Sequence, residues 1–117
     1  MRILLVTLLF ISLASCNKDL CGNELVCEVA SPDGRYIASL FERDCGATTP
    51  QISVVNLRLS DAEYAPEEID DWIFTIHGQS DVKVSWVVDG QLKIKYSRTG
   101  DKPTQRLKWR DVSVSYE

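Results

Sequence analysis

The chain has 117 residues, with 17 acidic and 13 basic side chains and a formal net charge of −4 at pH 7. This length suits one domain with a modest hydrophobic core and is too short for two domains of ordinary size. The acidic balance argues against a nucleic-acid-binding protein.

The N-terminal segment has the parts of a secretory signal. Arg2 gives it a positive charge, residues 3–11 are apolar apart from Thr7, and small residues precede Cys16. The apolar run is shorter than the roughly 20 residues that a membrane-spanning helix needs. We therefore expect a signal peptide over residues 1–15 that is cleaved before Cys16. A plain secretory signal with a chance cysteine is the alternative.

The segment Leu13-Ala14-Ser15-Cys16 resembles the lipobox of bacterial lipoproteins. The resemblance implies acyl chains attached at Cys16 that anchor the protein to a membrane of the cell envelope. Asn17 stands where an Asp usually retains such lipoproteins in the inner membrane, so it points to the periplasmic face of the outer membrane if the source has two membranes. We expect a lipidated N-terminus and tether over residues 16–24 and one β domain over residues 25–117.

Seven short segments are rich in β-branched and aromatic residues and are separated by turn-forming residues. They cover residues 25–30, 35–42, 51–59, 72–76, 82–88, 91–97 and 106–116. Only residues 60–71 could hold a helical turn. This order predicts an all-β fold, a single small antiparallel meander that is either blade-like or sandwich-like.

The first turn sets the register of the first hairpin. Ser31-Pro32-Asp33-Gly34 is typical of a three-residue loop that ends on a left-handed glycine. This loop places Ser31 opposite Arg35, and opposed positions along the hairpin then sum to 66.

The second turn contains Asp89 and Gly90. A two-residue turn would pair Trp86 with Lys93 and split the apolar face, whereas a three-residue loop pairs Trp86 with Leu92 and keeps the face together. The same loop pairs Val84 with Ile94 and Val82 with Tyr96. In residues 106–116 the apolar alternation shifts by one residue, which predicts a β-bulge near Arg110 and Asp111.

The first hairpin also decides the cysteine pairing. Lipidation of Cys16 would leave Cys21, Cys27 and Cys45, so at most one disulfide forms within the chain. Positions 21 and 45 sum to 66 and should face each other, which predicts a Cys21–Cys45 disulfide because the α-carbons must lie within about 7 Å.

Cys27 would instead face Ser39, about 20 Å along the sheet from Cys45. It shares a predicted face with Leu25 and Val29. We therefore expect a buried thiol that packs as a small apolar side chain, and a redox or dimerising role is the alternative.

Three motifs carry a resemblance to a known family. They are Cys21-Gly-Asn-Glu-Leu, Ser31-Pro-Asp-Gly-Arg-Tyr and Phe41-Glu-Arg-Asp-Cys-Gly-Ala-Thr-Thr. The chain resembles a family of small uncharacterised bacterial lipoproteins and secreted proteins marked by a Ser-Pro-Asp-Gly turn followed by Asp-Cys-Gly-Ala-Thr-Thr. The likeness is good over residues 21–59. It implies the family's fold and a location outside the cytoplasm, it supports the pairing of Cys21 with Cys45, and it implies no particular activity.

Catalytic motifs are scarce. His77 is the single histidine of the sequence, and the motifs of zinc, phosphate-binding and serine-hydrolase sites are missing from it. We expect His77 at a strand end on the surface. Cys45 could act as a nucleophile beside an oxyanion-binding loop, but no base is evident and the disulfide would consume the thiol. The sequence predicts no catalytic residue, no metal and no cofactor.

Charged residues suggest two candidate partner-binding surfaces. The first is a loop that concentrates Asp61, Glu63, Glu67, Glu68, Asp70 and Asp71. Calcium could use such oxygens, but the spacing fits no calcium loop known to us, and a solvated loop is favoured. The second is a sheet face with Lys83, Lys93, Lys95, Arg106 and Lys108. On this face Lys83 would lie opposite Lys95, and the acidic loop, salt or an anionic partner such as lipid head groups could neutralise it.

The favoured function is a non-enzymatic module of the bacterial envelope, anchored by lipid, that binds an envelope protein or occupies the surface. The alternative is an inhibitor or immunity-type lipoprotein whose acidic loop blocks a basic envelope-attacking enzyme such as a lysozyme. We expect a monomer that contacts a membrane through its anchor and does not bind nucleic acid.

Overall fold

The structure, a computed structural model, describes residues 21–46, 51–78, 81–97 and 102–117. The predicted signal peptide and most of the predicted tether, Cys16 included, lie outside these residues. The Ala-Thr-Thr part of the motif that follows Gly46 lies outside them as well.

Short strands account for nearly all regular structure in the described part of the chain. They are β1 Gly22–Ala30, β2 Tyr36–Asp44, β3 Ile52–Leu59, β4 Trp72–His77, β5 Val82–Val88, β6 Gln91–Tyr96, β7 Thr104–Gln105, β8 Lys108–Trp109 and β9 Val112–Tyr116. A 3-10 turn, Ile69–Asp71, lies in the segment where a helical turn was expected. Within the described residues, no helix is long and apolar enough to cross a membrane.

The strands form two sheets. The first has the order β1-β2-β3-β4-β7 and is antiparallel throughout, and the second has the order β5-β6-β9-β8. The predicted all-β class, its antiparallel sheets and its single disulfide are confirmed. Two pairs depart from a meander, because β7 lies beside β4 and β9 lies beside β6, the latter in the parallel direction.

The hydrophobic core lies between the two sheets, as in a sandwich. Strands β2, β3, β6 and β9 contribute alternate residues to it, which follows from the two-residue period of a strand. The core contains Tyr36, Ala38, Leu40, Val55, Leu57, Ile73, Phe74, Ile76, Leu92, Ile94, Trp109, Val112 and Val114. At one end of the core the Tyr36 ring packs against Trp86 of β5 and, edge-on, against Trp109 of β8.

The first hairpin differs from the prediction near its turn. Gly34 adopts the expected left-handed conformation, but Ser31 pairs with Tyr36 and not with Arg35, with the Ser31 amide donating to the Tyr36 carbonyl at 2.9 Å. The loop therefore has one residue more than expected. A β-bulge at Val26 removes this extra step, and the predicted sum of 66 holds from Leu25 to the open end of the hairpin.

The disulfide between Cys21 and Cys45 is confirmed and closes the hairpin at that open end. The prediction for Cys27 was wrong. Between the turn and the bulge the register is shifted by one, so Cys27 lies opposite Leu40 and not Ser39, and its thiol is free and exposed. Because β1 is an edge strand with a neighbour on one side only, its residues are more exposed to solvent than the sequence pattern suggests.

The register of the second hairpin is confirmed. Trp86 pairs with Leu92 and Lys83 pairs with Lys95. The predicted three-residue loop was wrong, because Val88 pairs with Gln91 across a two-residue turn of Asp89 and a left-handed Gly90. A bulge at Val87 supplies the step that keeps the predicted register.

The prediction of one bulged strand over residues 106–116 was wrong. It contains two strands, β8 and β9, that pair antiparallel across a tight turn at Arg110 and Asp111. Arg110 lies in the left-handed region, with a φ of 52°. The phase shift in the apolar pattern marks this reversal of direction, because Trp109 and Val112 face each other across it and share the core face.

Candidate functional site

The acidic loop, residues 61–71, lies on the outer face of the first sheet. Phe41 and Val54 point to this face and are fully buried. The rings of Tyr64 and Trp72 pack edge-on against Phe41, with ring centroids 6.0 and 6.1 Å away. The Trp72 Nε1–H also donates to the Pro66 carbonyl at 3.0 Å. The loop therefore packs against the sheet through a small apolar cluster that is separate from the core between the two sheets.

Arg43 of β2 anchors the middle of the acidic loop. Its Nη1 lies 3.0 Å from Glu67 Oε1 and donates to Asn23 Oδ1 at 2.9 Å. Asn23 Nδ2 in turn donates to Glu67 Oε2 at 2.7 Å. The guanidinium also lies over the Trp72 ring, 5.5 Å from its centroid. Charge-assisted bonds of this kind are the stronger class of hydrogen bond, so Glu67 is held firmly.

Arg58 of β3 anchors the start of the acidic loop. Its Nε donates to the Ala62 carbonyl at 3.1 Å, and its Nη1 lies 2.9 Å from Glu28 Oε2 and 3.0 Å from Ser39 Oγ. The guanidinium is also 5.7 Å from the Tyr64 ring centroid. Burial raises the pKa of the Tyr64 hydroxyl, and the nearby Glu28 carboxylate raises it further.

The end of the acidic loop is bonded to the last strands of the fold. The Trp109 Nε1–H donates to Asp71 Oδ1 at 3.0 Å. Arg106 Nη1 donates to the Asp70 carbonyl at 2.7 Å and lies 3.2 Å from the Trp72 carbonyl. The prediction that Arg106 belongs to the basic sheet face was therefore wrong, because this side chain bridges to the loop.

These anchors use only part of the acidic charge. The structure brings all six predicted carboxylates into one loop, and Glu67 and Asp71 are engaged as described. Among the described residues, no ion pair forms to the other four, and these are Asp61, Glu63, Glu68 and Asp70. The described part of the chain also contains no group of three His, Cys, Asp or Glu side chains placed to hold a metal ion.

The second charged surface is a groove on the outer face of β5 and β6, with a volume of about 540 Å³. We call it the basic groove, and it is lined by Cys27, Val82, Lys83, Val84, Ser85, Lys93, Lys95 and Glu117. Lys93 forms an ion pair with Glu117 at 3.4 Å. In the described ranges, no acidic side chain forms an ion pair with Lys83 or Lys95, although the two lysines oppose each other. Lys108 of β8 is exposed but does not line the groove.

The remaining sequence candidates do not assemble a catalytic site in the described part of the chain. Cys45 is consumed by the disulfide, and Asp44 Oδ1 accepts the Gly46 amide at 3.1 Å, as in an ordinary turn. His77 is exposed at the end of β4, opposite Ile52.

Sequence reasoning missed Arg43 and Arg58, which hold the acidic loop in place. A signal was present, since both are cations on strands that are otherwise largely apolar, and a buried charge needs a partner. It also missed a cleft of about 220 Å³ between the acidic loop, the end of β3 and the turn at Arg110. Asn56 lines this cleft, and its buried Oδ1 has no hydrogen-bond partner among the described residues.

No protein-family model, curated protein or solved structure matches this chain.

Proposed function

We propose that this protein is a lipid-anchored, non-enzymatic binding module of the bacterial cell envelope, which uses the acidic loop to contact a basic protein partner. The observation that carries the proposal is the fixed acidic loop. Four of its carboxylates remain without an ion pair in the described structure, while Arg43, Arg58 and Arg106 hold its backbone and Glu67 in place.

A fixed loop is suited to binding for two physical reasons. Association costs less free energy when the contacting segment is already ordered, because fewer side chains and backbone torsions are immobilised. Uncompensated carboxylates on one surface also raise the rate at which a basic partner arrives and disfavour acidic proteins.

The proposed anchor supports a role close to a membrane. Cys16 is five positions before Cys21, where the described domain begins. An extended chain spans at most about 3.6 Å per residue, so the domain would start within about 18 Å of the lipidated cysteine. Acyl chains at Cys16 would thus keep the acidic loop within reach of other envelope proteins.

The anchor is tested with Cys16→Ser in cells fed labelled palmitate. We expect the variant to lose the label and to accumulate as the uncleaved precursor. Label that persists on the variant would contradict the lipoprotein proposal.

Partner binding is tested by crosslinking and pull-down of the lipidated protein from its own envelope. We expect a basic protein to be recovered with the wild type and lost with D61N/E63Q/E68Q/D70N. A matched control, E24Q/D81N/D89N/D111N, removes four exposed carboxylates elsewhere and should retain the partner. Equal recovery with both variants would show that the acidic loop is not the binding surface.

A second candidate function uses the same loop. An inhibitor or immunity-type lipoprotein would place it against the cationic surface of an attacking enzyme such as a lysozyme, and its fixed conformation favours this role as well. The discriminating assay is lysis of peptidoglycan by a cationic lysozyme with the purified protein added in equimolar amount. Inhibition that disappears in D61N/E63Q/E68Q/D70N supports the inhibitor, and undiminished lysis rules out inhibition of that enzyme.

A further inference from the structure

We propose that the basic groove is the membrane-facing surface of the protein, and that its occupants are the anionic phospholipid head groups of the membrane that carries the anchor. The inference rests on the lipid anchor of the proposed function and adds an orientation to it.

The positive charge of the groove is largely uncompensated. Lys83 and Lys95 face each other across β5 and β6, and like charges in directly opposed positions destabilise a sheet. Lys93 brings a third ammonium group to the same groove. Glu117, which also lines it, is paired with Lys93 and neutralises only one of the three. Head-group phosphates would supply the missing negative charge, and each lysine near an anionic surface strengthens the attraction about fivefold.

One wall of the groove belongs to the strand that follows the tether. Cys27 of β1 forms part of its wall. Cys27 is six residues after Cys21, which is about 20 Å along the strand at the usual rise. The strand that continues from the tether therefore leads directly to the groove, within the distance that the short tether allows.

The basic groove and the acidic loop lie on different sheets of the sandwich. Lys83 and Lys95 alternate with core residues such as Val84 and Ile94, so they point outward from the second sheet. The acidic loop covers the outer face of the first sheet. With the groove on an anionic membrane, the carboxylates point away from the surface that would repel them and toward an approaching partner.

The thiol of Cys27, which lines the groove, can report membrane contact through its reactivity. With Cys16 acylated and Cys21 linked to Cys45, Cys27 is the remaining thiol among the four cysteines. It is exposed in the isolated protein. A membrane over the groove would shield it from a bulky reagent.

The test uses the full lipidated protein in vesicles of phosphatidylcholine alone or of an equimolar mixture with phosphatidylglycerol. An uncharged polyethylene-glycol maleimide is added at low salt, and its rate of reaction with Cys27 is followed by mass spectrometry. We expect labelling to be about tenfold slower on the anionic vesicles, and raised salt to remove the difference as the screening length shrinks.

Two variants test whether the lysines of the groove cause the slower labelling of Cys27 on anionic vesicles. K83Q/K95Q should label equally fast on both kinds of vesicle, while K102Q/R110Q, which removes two exposed cations that do not line the groove, should stay protected. Equal rates for the wild type on both vesicles would overturn the proposal. Protection by inorganic phosphate on phosphatidylcholine vesicles that matches the protection by phosphatidylglycerol would also overturn it, because the groove would then hold a free anion.

Failure of the anchor is recognised separately. Flotation with phosphatidylcholine vesicles reports the anchor alone, since these vesicles offer no net negative charge to the lysines. A protein that does not float contradicts lipidation, whereas a protein that floats and shows no protection contradicts only the orientation.

Discussion

The indole of Trp86 on β5 donates its Nε1–H to the backbone carbonyl of Val29 on β1, at 2.9 Å. This bond joins the two sheets along the edge where the basic groove opens. It connects residues 57 positions apart in the chain, and it holds the edge strand β1, in which Leu25 and Val26 are about half exposed.

Trp86→Phe should therefore loosen β1. We expect a loss of about 1 kcal/mol in the free energy of unfolding from the missing hydrogen bond, measured by urea denaturation, and faster hydrogen exchange of the β1 amides. Trp72→Phe is the matched control, because it also removes an indole-to-carbonyl bond, to Pro66. That variant should speed exchange in the acidic loop and leave β1 unchanged. Equal exchange of β1 in both variants would show that the Trp86 bond does not hold the strand.

The pair formed by Arg43 and Glu67 should show a measurable coupling. Arg43 is largely buried, with 14% of its side chain exposed, while Glu67 is 49% exposed, and a pair with one shielded partner is less weakened by solvent than a pair with two exposed partners. A double-mutant cycle with Arg43→Gln and Glu67→Gln should give about 1 kcal/mol. The same cycle on Lys93 and Glu117, which are 38% and 51% exposed, should give close to zero. Equal coupling in the two cycles would mean that burial does not set the strength of the Arg43 pair.

The carboxyl of Asp33 should make stability depend on acid pH. Its Oδ1 accepts the Ser31 hydroxyl at 2.7 Å and the Arg35 amide at 3.2 Å, and these bonds, the Ser31 bond first, lower the pKa of Asp33 below its ordinary value. A lowered folded-state pKa stabilises the fold above the unfolded-state pKa of about 3.9, and this contribution disappears as pH falls through the folded-state value.

Asp33→Ala should therefore be less stable than the wild type near neutral pH, and the difference should shrink below about pH 4. Urea unfolding at several pH values measures it. Asp61→Ala removes an exposed carboxylate outside any ion pair in the described structure and serves as the control. A difference between Asp33→Ala and the wild type that is constant with pH would assign the loss to turn geometry and not to charge.

The sequence was most informative where the alternation of apolar and polar side chains alone determines the register of two paired strands. The pairing of Trp86 with Leu92 followed from keeping apolar residues on one face, and the structure has that register. The Cys21–Cys45 disulfide was also correct, although the reason is more complicated than the pattern showed. An extra loop residue after Ser31 and a bulge at Val26 cancel, and neither leaves a mark in the apolar pattern.

Features that depend on distant contacts could not be derived in this way. The exposure of Cys27 depends on which side of β1 the second sheet leaves open, and the role of Arg106 depends on the carbonyls of Asp70 and Trp72. The apolar pattern says which face of a strand is covered, but it does not say by what. The two charged surfaces could be predicted because their residues are close together in the sequence or in one hairpin. The arginines that hold the acidic loop could not, because their contacts join distant segments.

The path of the chain between β6 and β9 has a consequence for folding kinetics. After β6 the chain leaves the second sheet, adds β7 to the first, and then returns for β8 and β9. The hydroxyl of Tyr116 on β9 lies 2.9 Å from the Ile73 carbonyl of the first sheet, and burial raises its pKa to about 12. The two sheets thus share one hydrophobic core and are joined by a hydrogen bond between their strands. The protein should therefore unfold in one cooperative transition. Because so many of its contacts join distant parts of the chain, it should refold in milliseconds to seconds and not in microseconds.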